Sequence, residues 1–229
     1  MSQFIIPPPP RIAIPVAGRD ALFPVRRIYC VGRNYAAHAR EMGNDSREPP
    51  FFFQKPTDAV VASGSTIAYP PETRNLHHEV ELVLGIGLGG ADISPQEARR
   101  HVIGLAVGID LTRRDLQNAA KEAGRPWECS KSFDASAPIS ALVEWPAGEP
   151  LPQSGRITLS VNGQRRQEGN LVEMTWSCTE IVAQLSRFFR LAPGDLIFTG
   201  TPAGVGPVVA GDWVQGEIEG VGVVTVLVN

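Results

Sequence analysis

The spacing of apolar and polar positions changes period several times along the chain. Residues 77–84 read HHEVELVL, with Glu79 and Glu81 two apart in an apolar run of Val80, Leu82, Val83 and Leu84. Successive strand side chains point to opposite faces, so residues two apart share a face. The run therefore predicts a strand with two carboxylates on one side. Gly104 to Ile109 is a continuous apolar run ending at Asp110, which predicts a buried strand. Arg11–Val16, Arg27–Val31, Phe51–Phe53, Leu196–Phe198 and Val60–Tyr69, with a turn at Gly64, read as further β segments. Ile157–Val161 followed by Asn162-Gly163 predicts a hairpin, and Trp213–Val228 predicts two short strands around Glu219-Gly220. The glycines at 85, 87, 89 and 90 follow no phosphate-loop spacing and mark a turn.

Helical period appears in fewer places. Ser94-Pro95-Gln96-Glu97 is a capping box with Pro at the first helical position, opening a helix to about His101 or Val102. Leu111–Ala123 and Thr179–Phe189 are further helices, the second ending before Pro193-Gly194. Tyr35–Met42 reads as a short helix with Asn34 as its N-cap. Strands outnumber helices without a βαβ rhythm, so the expected class is α+β, mostly β, with a few short helices.

With 229 residues, 43% of them hydrophobic, the chain can bury one sizeable core. The expected organisation is a Pro-rich N-terminal arm over 1–24 and a single domain over 25–229. The net charge of -3 and the lack of a Lys/Arg cluster argue against a nucleic-acid partner. Cys30, Cys129 and Cys178 are odd in number and form no C-x-x-C pair, which argues against a disulfide framework or zinc site. MSQFIIPPPP has neither a basic n-region nor a long apolar run, so the expectation is a soluble cytoplasmic protein with no membrane partner.

Two carboxylates on one strand face repel each other and lose solvation beside a core, and a shared hard divalent cation relieves both. The alternative is a solvent-facing polar edge. Asp110 at the mouth of a buried strand adds a third acid, or else caps the helix that follows. His38 and Glu41, three apart on one helical face, suit a general base with an orienting carboxylate, or an ordinary surface pair. His77 and His78 are possible ligands or an exposed strand end. Lys55 follows three phenylalanines, and Lys131 lies between two serines just after Trp127. Each can bind a substrate carboxylate or an oxyanion, or be a solvated loop lysine. The loop TGTPAGVG (199–206) offers backbone N–H groups as an anion cradle, or is a plain turn cluster.

VGRNYAAHAREMG (31–43), FFFQKP (51–56), TRNLHHEVELVLGIG (73–87), GLAVGIDLTRRDLQ (104–117), GRPWECSKSFD (124–134), VNGQRRQEG (161–169) and PGDLIFTGTPAGVGPV (193–208) together resemble the fumarylacetoacetate hydrolase family. They are most similar to its short acylpyruvate-cleaving branch. The resemblance implies a mixed β-roll core, a homodimer and bound Mg²⁺ or Mn²⁺. It implies Glu79, Glu81 and Asp110 as metal ligands, His38 and Glu41 as the pair that activates water, and Lys131 as the active-site lysine. Arg33, Lys55, Arg114, Gln117 and Thr201 fall in segments that bind substrate. The implied activity is C–C bond hydrolysis of a 2,4-dioxo acid. EPPFFFQKP and LFPVRRIYCVGRNYAAHAREMG look most like the family members that act on fumarylpyruvate, a resemblance that implies cleavage to fumarate and pyruvate in aromatic (gentisate) degradation. Such a substrate needs a cation for its second carboxylate, with Arg114, Arg113 or Lys55 as candidates. Alternatives are another acylpyruvate, oxaloacetate decarboxylation, a related keto-acid isomerase or decarboxylase, or a non-catalytic keto-acid binder.

Overall fold

The computed structural model describes residues 4–35 and 48–229. Its centre is an eight-stranded mixed sheet. Phe51–Lys55, Arg27–Gly32, Asp195–Phe198, Val80–Ile86, Val102–Ile109, Ala137–Ile139 and Val60–Ala62 lie in that order, and Val143–Glu144 pairs onto Val102–Ile109. Two of the pairings are parallel, Asp195–Phe198 on Arg27–Gly32 and Ala137–Ile139 on Val60–Ala62. A second sheet orders Gln164–Asn170, Arg156–Val161, Trp213–Ile218, Gly222–Val228 and Ser65–Ile67. The fold is thus mostly β, with the mixed sheets and short helices of the expected class.

The predicted β stretch around Gly64 is divided between the two sheets rather than folded back on itself. Ser63 N–H donates to Ile139 O in the first sheet (2.9 Å), and Gly64 N–H donates to Thr225 O in the second (2.8 Å). The chain changes direction within one residue, and Gly64 does so at φ +87° in the left-handed region. The Asn162-Gly163 hairpin forms as expected, with both residues at positive φ.

The main core lies between the sheets. Leu82, Leu84, Leu105, Val107 and Ile109 meet Ile157, Leu159, Val214, Val224 and Val226, all buried. The opposite face of the large sheet carries a smaller cluster of Ile28, Cys30, Val83, Ala106, Leu196 and Phe198. Ile14 and Phe23 close over this cluster from a hairpin of Ala13–Pro15 and Leu22–Pro24. The sequence reading places one strand there and misses the second, because two apolar residues followed by a proline show no period.

Helix 178–188 (Cys178–Phe188) starts at a capping box of Ser177 and Glu180, one residue from its expected start. Helix 114–122 (Arg114–Glu122) begins three residues later than predicted. Thr112–Arg113 instead form a strand against Leu76–His78, which also pairs with Gly206–Val208. Among the described residues no helix is long and apolar enough to cross a membrane.

Candidate active site

Strand register builds the centre of the site. Glu81 stands opposite Gly108, and the Asp110 N–H donates to Glu79 O at 2.8 Å. Alternation places Glu79, Glu81 and Asp110 on the face that carries Val83 and Ala106 further along. All three acids are buried, and each brings a carboxylate oxygen within 4.8 Å of the other two. The open alternatives close at this point: the acids do not edge into solvent, and Asp110 caps no helix, since the next helix starts at Arg114.

Buried charges require partners. Lys131, from the short helix Glu128–Lys131, donates Nζ to Glu79 Oε2 (2.8 Å), Asp110 Oδ2 (2.6 Å) and Thr112 Oγ1 (2.7 Å). Lys55 Nζ pairs with Asp110 Oδ1 at 2.9 Å and also donates to the carbonyls of Leu111 and Lys131. Arg114 pairs with the other oxygen of Glu79. Its Nε donates to His77 Nδ1 at 3.4 Å. Burial, and then the nearby Arg114 charge, push His77 down to about 4, so the neutral imidazole is free to accept.

These contacts distribute charge unevenly. Burial alone would raise the Glu79 carboxyl, but Lys131 and Arg114 outweigh it and bring the group down to about 2. Burial would likewise lower the Lys131 ammonium, but Asp110 and Glu79 outweigh it and raise the group. Among the described residues Glu81 has no such partner. Its carboxylate accepts the Gly200 N–H at 2.7 Å, while burial and then the charges of Asp110 and Glu79 push it well above the usual carboxylate range. The 199–206 cradle therefore spends its Gly200 amide on the protein's own acid. Three convergent carboxylates, one of them paired with no cation among the described residues, form the all-oxygen donor set of a hard divalent cation, and Mg²⁺ or Mn²⁺ fits it.

A cavity opens over the acids. Phe51, Phe53 and Trp127 supply aromatic surface, with Phe51 and Trp127 edge to face at 5.1 Å. Arg33, Arg114, Gln117, Lys121, Lys131 and Thr201 supply polar groups. The structure thus gathers most of the sequence-derived candidates around one space. Lys55 lies behind Asp110, fully buried, and does not line the cavity. Arg113 stacks on Phe133 at 4.5 Å, donates to Cys129 O at 3.0 Å and also lies off the cavity. His38 and Glu41 lie outside the described residues, as does nearly all of the helix expected at Tyr35–Met42. Asn34, expected as that helix's cap, ties two other segments together: Nδ2 donates to Thr199 O (2.8 Å), and Oδ1 accepts from Trp176 N (2.8 Å).

Gln167 and Lys121 escape the sequence reading. Gln167 Oε1 accepts from Val80 N (3.2 Å) and faces His78 Nδ1 (2.9 Å). Its Nε2 donates to Pro202 O (3.0 Å) and Thr201 Oγ1 (2.8 Å). A backbone donor on one side and a backbone acceptor on the other fix the amide's orientation. His78 Nδ1 therefore carries the proton toward Gln167, and Thr201 spends an acceptor lone pair, leaving its hydroxyl proton available to the cavity. His78 is buried, not the exposed strand end of the blander reading. Gln167 is the one buried residue among the polar positions of Gln164–Asn170, and only the tertiary fold distinguishes it.

Comparison with known proteins agrees with this architecture. Residues 27–229 match the family described as Fumarylacetoacetate (FAA) hydrolase C-terminal. A crystal structure of fumarylpyruvate hydrolase from Pseudomonas aeruginosa in complex with Mn²⁺ and pyruvate superposes with a TM-score of 0.94 at 52% identity, covering 99% of each chain. A fumarylpyruvate hydrolase from Ralstonia sp is 45% identical over 184 residues, 80% of this chain and 95% of that protein. An oxaloacetate tautomerase from Escherichia coli (strain K12) is 42% identical over 192 residues, 83% of this chain and 87% of that protein.

Proposed function

The chain belongs to the fumarylacetoacetate hydrolase family, and on that premise we propose that it is a divalent-metal-dependent hydrolase cleaving fumarylpyruvate to fumarate and pyruvate. The observation that carries this reading is the buried Glu79–Glu81–Asp110 cluster, in which Glu81 pairs with no cation among the described residues. These three residues hold Mg²⁺ or Mn²⁺ in this reading. The Pseudomonas aeruginosa relative, 52% identical, binds Mn²⁺ and pyruvate. When bound, such an ion acts as a Lewis acid toward a chelating 2-oxo carboxylate and lowers the energy of the enolate leaving group.

The chain's own residues supply the rest. Lys131 holds Glu79 and Asp110 in place, and Lys55 anchors Asp110 from behind. Thr201 donates its free proton to a substrate oxygen, and Gln117 lines the same space. His38, with Glu41 behind it, removes a proton from the attacking water. Water oxygen bonds to C4 of the dioxo acid, the C3–C4 bond breaks, its electron pair goes to C3, and protonation there completes pyruvate. The aromatic surface of Phe51, Phe53 and Trp127 limits bulk water around the developing charge. Electrostatics suit a dianionic enol core. Lys131, Lys55 and Arg114 equal the three acids in number, although none pairs with Glu81, so a divalent ion brings the net charge to plus two for the substrate's carboxylate and enolate.

In this reading residues 25–229 are the catalytic domain and 1–24 its arm. The protein works as a cytoplasmic homodimer in aromatic (gentisate) degradation, and light scattering checks the dimer. A second reading, tautomerisation of oxaloacetate, is favoured by the 42% identical Escherichia coli relative. It needs the same charge stabilisation but only proton transfer, with no water attack. The deciding assay follows enol absorbance of fumarylpyruvate, acetylpyruvate and oxaloacetate with Mn²⁺ and with EDTA. EDTA-sensitive release of fumarate and pyruvate supports the hydrolase. Silence on both acylpyruvates, with rapid enol–keto exchange of oxaloacetate, moves the assignment to tautomerase.

A further inference from the structure

Among the described residues, every cation in contact with the three acids is already matched. Lys55 pairs with Asp110, Lys131 with Glu79 and Asp110, and Arg114 with Glu79. Arg113 faces away from the cavity, on Phe133. Two cations remain that line the cavity and pair with no carboxylate among the described residues, Arg33 and Lys121. Both lie over its aromatic surface. Lys121 Nζ is 5.1 Å from the centroid of Trp127, and Arg33 Cζ is 5.8 Å from that of Phe51. The two rings touch each other edge to face. Arg33 sits at φ +59°, a left-handed conformation that a non-glycine residue adopts at a cost and that is concentrated at functional sites.

We propose that Lys121, assisted by Arg33, forms a subsite for a second carboxylate, so that the cavity selects 2,4-dioxo diacids over 2,4-dioxo monoacids. This rests on the hydrolase reading for the identity of the substrate. The surplus positive charge answers the one negative charge of a fumaryl group that the metal centre does not meet. The planar, conjugated C=C between the two ends suits the Phe51 and Trp127 rings. Lys121 occupies the last turn of the Arg114–Glu122 helix, whose first residue, Arg114, already contacts Glu79. One helix thus presents cations toward both ends of an extended substrate. Neither Lys55 nor Arg113 can take this role, since one is buried behind Asp110 and the other points out of the cavity.

The test compares wild type, Lys121→Met and Lys121→Arg, each loaded with Mn²⁺. The ratio of kcat/KM for fumarylpyruvate to that for acetylpyruvate is expected to fall roughly tenfold or more in Lys121→Met, mostly through KM, and to recover in Lys121→Arg. Binding of fumarate and of crotonate, which replaces one carboxylate by a methyl group, is measured beside it by calorimetry. Wild type is expected to prefer fumarate, and Lys121→Met to lose that preference. An unchanged ratio together with an unchanged fumarate preference in Lys121→Met overturns the subsite. Wild-type silence on both acylpyruvates overturns the hydrolase reading instead, and the fumarate–crotonate comparison still decides the subsite.

Discussion

On one face of the paired strands Val80–Ile86 and Val102–Ile109 stand Leu82, Leu84, Leu105, Val107 and Ile109, sealed against the second sheet. On the other face stand Val83 and Ala106, and then, toward the cavity, Glu79, Glu81 and Asp110. The backbone is the same and the alternation is the same, yet the two faces solve different problems. The inner face gains stability from every methylene it removes from water. The outer face gives stability up by burying like charges, and recovers part of it through Lys131, Lys55 and Arg114. The dry face supplies the rigidity that holds the charged one in place.

Removing a partner from the charged face has the largest effect. Lys131→Met leaves Glu79 and Asp110 buried without their shared cation. It should cost about 3–5 kcal/mol in urea unfolding and lower turnover by roughly 10²-fold or more. On the dry face Leu105→Ala should cost about 2–5 kcal/mol while the folded protein keeps wild-type kcat, because the loss is packing alone. If Leu105→Ala instead abolished turnover without unfolding, the two faces would not be separable.

Glu81→Gln sharpens the contrast, because it should move stability and function in opposite directions. It removes one of three crowded like charges while keeping an acceptor for the Gly200 amide. The EDTA-treated variant should gain about 1 kcal/mol, read as a rise of a few degrees in Tm, yet lose Mn²⁺ binding and activity. The smallest effect belongs to Gln167→Leu. It strips Thr201 of its donor and Val80 and His78 of their acceptor, with no contact to the acids. Here kcat/KM should fall about tenfold while Mn²⁺ affinity stays at the wild-type value in calorimetry.

The acids were legible in the sequence because strand period is local: Glu79 and Glu81 share a face by spacing, and Asp110 stands at the end of an apolar run. Hairpins and caps were legible for the same reason, as at Asn162-Gly163 and Ser94. What stayed hidden depends on distant segments. Gln167 becomes an orienting group only because its strand passes under Val80 and the Thr201 loop. Lys121 reads as a polar position on a surface helix until that helix docks beside Trp127. The helix start at Arg114 was misplaced because Thr112–Arg113 answer to the strand at Leu76–His78, not to local helical preference. The partition of the Val60–Tyr69 stretch was hidden too, since two edge strands of different sheets have the same local pattern as a hairpin.

The central claim is that Glu79, Glu81 and Asp110 form one cation site. Crystals of wild type and of Glu81→Gln grown with Mn²⁺, with anomalous diffraction recorded at the manganese edge, test it directly. The account predicts one manganese peak per chain in wild type, within coordination distance of all three carboxylates, and its loss in Glu81→Gln. A peak elsewhere, or one that persists unchanged in the variant, would contradict it.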